Sequence, residues 1–393
     1  MMLHYVQPSK LRTKKIVFED IFAASDSATL EQLKELSSKR RAIEESINES
    51  RSITEAIARE MSGGRVTRCE QDIYKMEQYL PLLENLLFYV DAISTNSQMA
   101  LWIAALKIRW SSALSSSSFF NFSGPNFFQI DSLRFELGMT LFLYGAILRK
   151  RALEVLSSDL VQSSNLFRQA AGIYHHLEHD VLPSLQPLLP SEKPPEALAE
   201  VSTIMSLICL AEAQAVTVRR AEEKGTSPVL LAKLHHGVAL FLEEAIGILS
   251  KVVRQDRDIS SRLLEFISSC KASHELKSQQ YLAEQEKVND KIGAAIGILR
   301  YALINARRNV PREESWKSIY QKQIHDASEV LRKFERENDF VLSERIPSED
   351  ELPLPEGKKI VTFIHYNPAR WERELAFRTQ RLAGPKFCQN YVT

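Results

Sequence analysis

The sequence predicts an all-α fold of long antiparallel helices, and three observations lead there. Helical periodicity runs almost unbroken from residue 27 to 338. Its interruptions carry start and stop residues where a helix needs them: Pro194-Pro195, Ser227-Pro228 and Pro311 at starts, Gly225 at an end. Gly is scarce, at 13 of 393 residues, which disfavours an α/β nucleotide-binding fold with its many tight turns.

The first helix opens at Ser27 with the capping box Thr29-x-x-Gln32. It carries Leu30, Leu33, Ile43, Ile47, Ile57 and Met61 toward one side and stops at Gly63-Gly64. A second, from about 67 to 93, sets Ile73, Met76, Leu80, Leu83, Leu87 and Val90 at three- and four-residue steps. Next comes "LWIAALKIRWSS", where Leu106, Ile108 and Trp110 alternate with Lys107 and Arg109; with the Ser-Gly-Pro-Asn turn that follows, this predicts one small β-hairpin within 101–130. Helices then resume at about 131–156, 162–189, 196–223, 228–254, 257–287, 289–308 and 312–337. Short loops between long helices imply a solenoid or extended bundle.

From Val341 the texture changes: "SERIPSEDELPLPEGKK" is Pro-rich and acidic, and predicts an extended tail that packs across the helical body or trails from it. With 50 basic and 50 acidic residues, nothing in the overall charge favours nucleic acid. Cys69, Cys209, Cys270 and Cys388 form no C-x-x-C pair and read as reduced thiols of a cytoplasmic protein. No apolar run approaches the roughly 20 residues of a bilayer span. Pro8 and the absence of an amphipathic pattern argue against a presequence in the basic first 15 residues.

Two chemical candidates stand out. "GIYHHLEHD" contains His175, Glu178 and His179 in the H-x-x-E-H order of inverted zinc peptidases, which would make the chain a zinc hydrolase. If the helix buries Ala170, Ile173, Leu177 and Val181, however, those three side chains fall on its wet side, and no third ligand stands out. No G-x-G-x-x-G, G-x-x-x-x-G-K-[ST] or G-x-S-x-G occurs, so the chain is read as no enzyme, with no metal and no cofactor. The second candidate is a helical hairpin, 210–234, whose first arm holds Ala211, Ala213 and Ala215 and whose second sets Leu230 and Leu234 one turn apart. Periodicity leaves open whether this is ordinary core or a groove.

Four blocks together resemble the Bro domain, the endosome-targeting helical domain of Alix-like adaptors: "SLRFELGMTLFLYGAI" (132–147), "FRQAAGIYHHLEHDVLPSL" (167–185), "LAEAQAVTVRRAEEKGTSPVLLAKL" (210–234) and "ENDFVLSERIP" (337–347). The likeness covers about residues 5–365 and points to short members made of little beyond this domain. It implies an elongated, banana-shaped array with a TPR-like solenoid core over residues 1–365, followed by an extended or partly disordered extension, 366–393. It further implies an ESCRT-associated adaptor in multivesicular-body sorting and vacuolar or lysosomal transport. Such an adaptor is cytoplasmic and recruited to the endosome.

Its partner would be the C-terminal amphipathic helix of an ESCRT-III subunit, received in a concave hydrophobic groove. Carried over, the family's aliphatic contacts fall on Leu230 and Leu234, its basic contact on Arg220 and its aromatic contact on Thr217. Thr217 departs from the pattern by lacking a large apolar anchor, so a scaffold for a different helical peptide stays open. Leu342 stands where some members carry a signalling Tyr, which excludes phosphotyrosine there. The family also touches anionic endosomal membrane, but the scattered Lys and Arg here mark no patch.

Overall fold

The computed structural model describes residues 4–5, 7–48, 67–93, 96–116, 126–255, 258–369 and 373–378. Among these, the α-helices longer than two turns are α1 Ser27–Asn48, α2 Arg68–Ala92, α3 Ser97–Ala105, α4 Leu133–Val155, α5 Leu160–His176, α6 Ala199–Glu223, α7 Pro228–Gln255, α8 Ser261–Val288, α9 Ile292–Arg308 and α10 Glu314–Glu337. β1 Arg109–Ser111 pairs antiparallel with β2 Phe127–Gln129, with Trp110 opposite Phe128. From α4 on, each helix packs mainly on the next in sequence, so the core is drawn out along the array, as an elongated solenoid requires.

Most boundaries follow the local chemistry. Thr67 closes a capping box with Glu70 at the start of α2, and Asp159 accepts from the amides of Val161 and Gln162 at the start of α5. Past α6, Gly225 takes φ +69° and the amide of Thr226 returns to the carbonyl of Ala221, a Gly-type helix stop. Two expectations change, and a third group lies outside the described residues. Residues 101–105 belong to α3 and are not strand, because Asn96 caps a helix there through the amide of Gln98. The stretch with Ile57, Met61 and the Gly63-Gly64 stop lies outside the described residues, as do the hairpin turn and Cys388. Finally, Ala199–Glu223 is long and apolar enough to cross a membrane, with a mean hydropathy of 1.6 over its most apolar window, but 89% of that window is buried, as in a core helix.

Buried ion pairs fasten the amino-terminal segment to the array. Arg40 reaches Glu136 at 2.5 Å, and Glu136 also accepts from the Tyr79 hydroxyl at 3.0 Å and the Trp110 indole at 2.7 Å. Arg149 grips Glu212 with two nitrogens at 2.6 and 2.5 Å and donates to the carbonyl of Tyr5. Tyr5 stacks on Phe266 of α8 at 5.1 Å.

After α10 the chain turns at Ser343 (φ 54°) and returns as an extended strap across α9, α7, α6 and α5 in that order. It crosses where glycine leaves room. A Cβ at Gly293 would stand 2.2 Å from the carbonyl oxygen of Arg345, at Gly237 2.2 Å from that of Lys358, and at Gly172 1.8 Å from that of Ile364. Beyond the strap, Ala24 and Phe377 form a β-bridge and the amide of Ala376 donates to the hydroxyl of Thr29. Gly237→Ala should therefore undock the strap and lower stability by roughly 1–3 kcal/mol through overpacking. Gly247→Ala, an exposed helix-interior site with open space, should raise it by about 0.5–1 kcal/mol. Urea unfolding with limited proteolysis of 345–369 checks both.

Candidate functional site

The site is built on the hairpin of α6 and α7 and on the strap that crosses it. Gln214, fully buried on α6, is the clamp: its Nε2 donates to the carbonyls of Leu234 (2.8 Å) and Lys358 (2.9 Å), and its Oε1 accepts from the amide of Ile360 (2.9 Å). One amide thus ties together α6, α7 and the strap and satisfies polar groups that would otherwise be buried unpaired. Lys358 donates its own amide to the carbonyl of Lys233 at 2.9 Å, and Lys233–Glu356 and Lys359–Glu244 ion pairs flank the crossing.

The four positions carried over from the family behave differently. Leu230 is 36% exposed, beside Val229 at 39%, while Ile360 on the strap is 44% exposed. Arg220 is exposed at the last turn of α6. Thr217 is half-buried, one turn beyond Gln214, and its hydroxyl donates to the carbonyl of Ala213 (2.9 Å) and meets the Ser164 hydroxyl at 3.4 Å. Leu234, by contrast, is 4% exposed and belongs to the main core, so it supports this face from beneath. Leu230 lies one turn before Leu234 and Thr217 one turn after Gln214, and Val229 with Leu230 forms a short exposed apolar strip on the first turn of α7.

Under this strip lies a polar network that periodicity does not reveal. His235 on α7 brings Nδ1 to 3.0 Å from Nδ1 of His274 on α8, and Nε2 to 3.2 Å from Glu222 on α6. The Tyr281 hydroxyl donates to the same Glu222 oxygen at 2.7 Å. Burial works against the Glu222 charge, but the bonds from His235 and Tyr281 outweigh it and hold its carboxyl down at about 2. As a carboxylate, Glu222 needs a donor, so His235 carries its hydrogen on Nε2 and accepts at Nδ1, and His274 must donate from Nδ1. Burial, first, and the neighbouring imidazole, second, push the His274 pKa well below its ordinary value; burial lowers that of His235 against the pull of Glu222.

The H-x-x-E-H stretch straddles the end of α5 and a π-helical turn, Leu177–Val181. Ile173, Leu177 and Val181 are buried. His179 bonds to the carbonyl of His175 at 3.0 Å, and His176 pairs with Asp180 at 2.8 Å. The strap, however, covers part of the expected wet side: Phe363 packs edge-on against the His175 ring at 4.1 Å. Among the described residues no group of three or more His, Cys, Asp or Glu is placed to hold a metal ion.

Residues 31–384 match the family described as the BRO1-like domain. The chain belongs to that family. Among curated relatives it is 28% identical over 237 residues to the pH-response regulator protein palA/RIM20 of Emericella nidulans, covering 57% of this chain and 26% of the relative. It is 25% identical over 236 residues to the human BRO1 domain-containing protein BROX, covering 56% of each. The matches therefore span about a quarter to a little over half of these relatives' lengths. An ALIX BRO1–CHMP4C complex superposes with a TM-score of 0.66 at 17% identity over 91% of this chain and 94% of that one. The chain solved in a structural study of endosomal targeting by the Bro1 domain gives 0.61 at 16% over 89% and 90%. These likenesses establish the elongated helical fold of the BRO1-like domain.

Within this BRO1-like domain the histidine pair sets an acid limit. Both histidines have folded pKa values below the unfolded 6.5, so their contribution to stability is complete above pH 6.5 and is lost as pH falls from there toward the folded values. Glu222 adds a second loss, beginning below its unfolded value of 4.5 and ending near 2. The urea midpoint should drop between pH 7.5 and 5, and His274→Gln should reduce that drop.

Proposed function

We propose that this chain is a non-enzymatic adaptor that docks an amphipathic helix of the kind found at the C terminus of an ESCRT-III subunit. The helix lies along Thr217, Arg220 and Leu230, with Leu234 as support beneath. The observation that carries this reading is the exposed pair Val229 and Leu230 on the helix that the strap crosses one turn later at Lys233, with Ile360 exposed on the strap and Arg220 exposed at the end of α6. An amphipathic helix would bury its apolar face on that strip and turn an acidic group to Arg220. The solved complex of ALIX BRO1 with CHMP4C supports the choice of partner, since the fold is shared over nine-tenths of both chains.

On this reading the chain acts in the cytoplasm, is recruited to endosomes through its partner, and contributes to multivesicular-body sorting. Residues 1–365 supply the docking body. The segment beyond them holds the amino-terminal end of the array through Thr29 and Ala24. Thr217, beside Ser164, lacks the large ring of the family's aromatic contact, which favours a partner helix with a bulkier side chain at that contact.

Fluorescence polarisation with a labelled C-terminal peptide of an ESCRT-III subunit tests the proposal. Leu230→Asp should weaken binding at least tenfold with an unchanged melting temperature, because the new carboxylate stays near water when free and is desolvated only in the complex. Leu234→Asp should instead unfold the protein, so it cannot report on binding. Unchanged affinity of Leu230→Asp would remove the strip as the docking site.

A further inference from the structure

We propose that the cleft between α8, α9 and the strap is a second docking site, which takes an arginine-bearing amphipathic peptide. The cleft has a volume of about 210 Å³ and is lined mainly by α8, α9 and the strap, with His236 of α7 at one side, and by none of Thr217, Arg220, Leu230 and Leu234. α8 and α9 meet there through small residues, Ala272, Ala302 and Ala306, so their backbones leave a channel that no side chain fills. The lining runs from Ile298 to Asn309 along α9, about 16 Å at 1.5 Å per residue, which matches a short peptide segment better than a compact metabolite.

The occupant follows from the lining's chemistry. It includes two carboxylates, Glu275 and Glu349, and neither lysine nor arginine. His236 also faces it, and burial lowers its pKa, so at neutral pH it brings no positive charge. Lys271 holds one oxygen of Glu275 at 3.0 Å, which leaves Glu349 as the stronger attraction. At the mouth Leu354 stands 85% exposed between two prolines, an apolar side chain that the fold itself does not use. An arginine matches both features: its methylenes lie along the alanine floor and its guanidinium reaches the carboxylates, while an adjacent apolar residue covers Leu354. The same floor packs on Tyr320, whose buried hydroxyl has no partner, so the region is short of polar contacts as well as of volume.

The test uses the full chain and a fluorescein-labelled nonapeptide alternating leucine, serine and arginine, with a twin that has glutamate for arginine. At low salt the arginine peptide should bind at least tenfold tighter than its twin. Glu349→Gln with Glu275→Gln should weaken it at least tenfold, and Leu354→Ser severalfold. Glu351→Gln, which removes a charge from the same strap but outside the cleft, should have little effect, and so should Leu230→Asp. Equal binding of the two peptides, no binding at all, or a Glu351→Gln effect as large as that of Glu349→Gln would overturn the proposal. Loss on Leu230→Asp would place the peptide in the first strip and overturn it too, while the ESCRT-III peptide assay separately decides the fate of that strip.

Discussion

A single steric constraint shapes the face on which α5, α6, α7 and α9 meet the strap. The strap lies so close to the helices it crosses that its carbonyl oxygens occupy the space of a Cβ at Gly172, Gly237 and Gly293. Glycine in a helix interior costs up to about 1 kcal/mol relative to alanine, and here the cost is offset by the contacts that close approach permits. Gln214 then converts proximity into order, because its one amide group closes three hydrogen bonds among α6, α7 and the strap.

The second constraint is electrostatic and holds the amino-terminal segment against the array. Arg40–Glu136 and Arg149–Glu212 are buried, and each draws in the amino-terminal segment, through Thr13 and through the carbonyl of Tyr5 respectively. Breaking such a pair would leave an uncompensated buried charge, so these arrangements fix the geometry more than they add net stability. The His235–His274–Glu222 network plays the same part at the hairpin, joining three consecutive helices below the strip.

Much of the fold was legible beforehand, and the reasons are local. The expected 228–254 and 196–223 helices agree with α7 and α6 to within three residues, since proline starts and a glycine stop act on the backbone at the position where they occur. Residues 101–105 misled because alternation was read through a stretch in which the cap at Asn96 decides the outcome. Leu230 and Leu234 look equivalent in sequence, one turn apart on an apolar face, yet one is exposed and the other core. The available signal for the strap was Gly172 and Gly237, glycines inside helices with no turn to explain them, where the strap's carbonyl oxygens come close.

The sequence by itself determined the elements and their order, because capping, helical periodicity and glycine or proline punctuation act over a few residues. It also carried the family, through four blocks spread along the chain. Only the tertiary structure decided which apolar residues face solvent, where the acidic, proline-rich tail lies, and that Gln214 is its clamp. Those outcomes depend on contacts between residues more than a hundred positions apart, such as Gln214 with Lys358, and no local rule reports what a distant segment will cover.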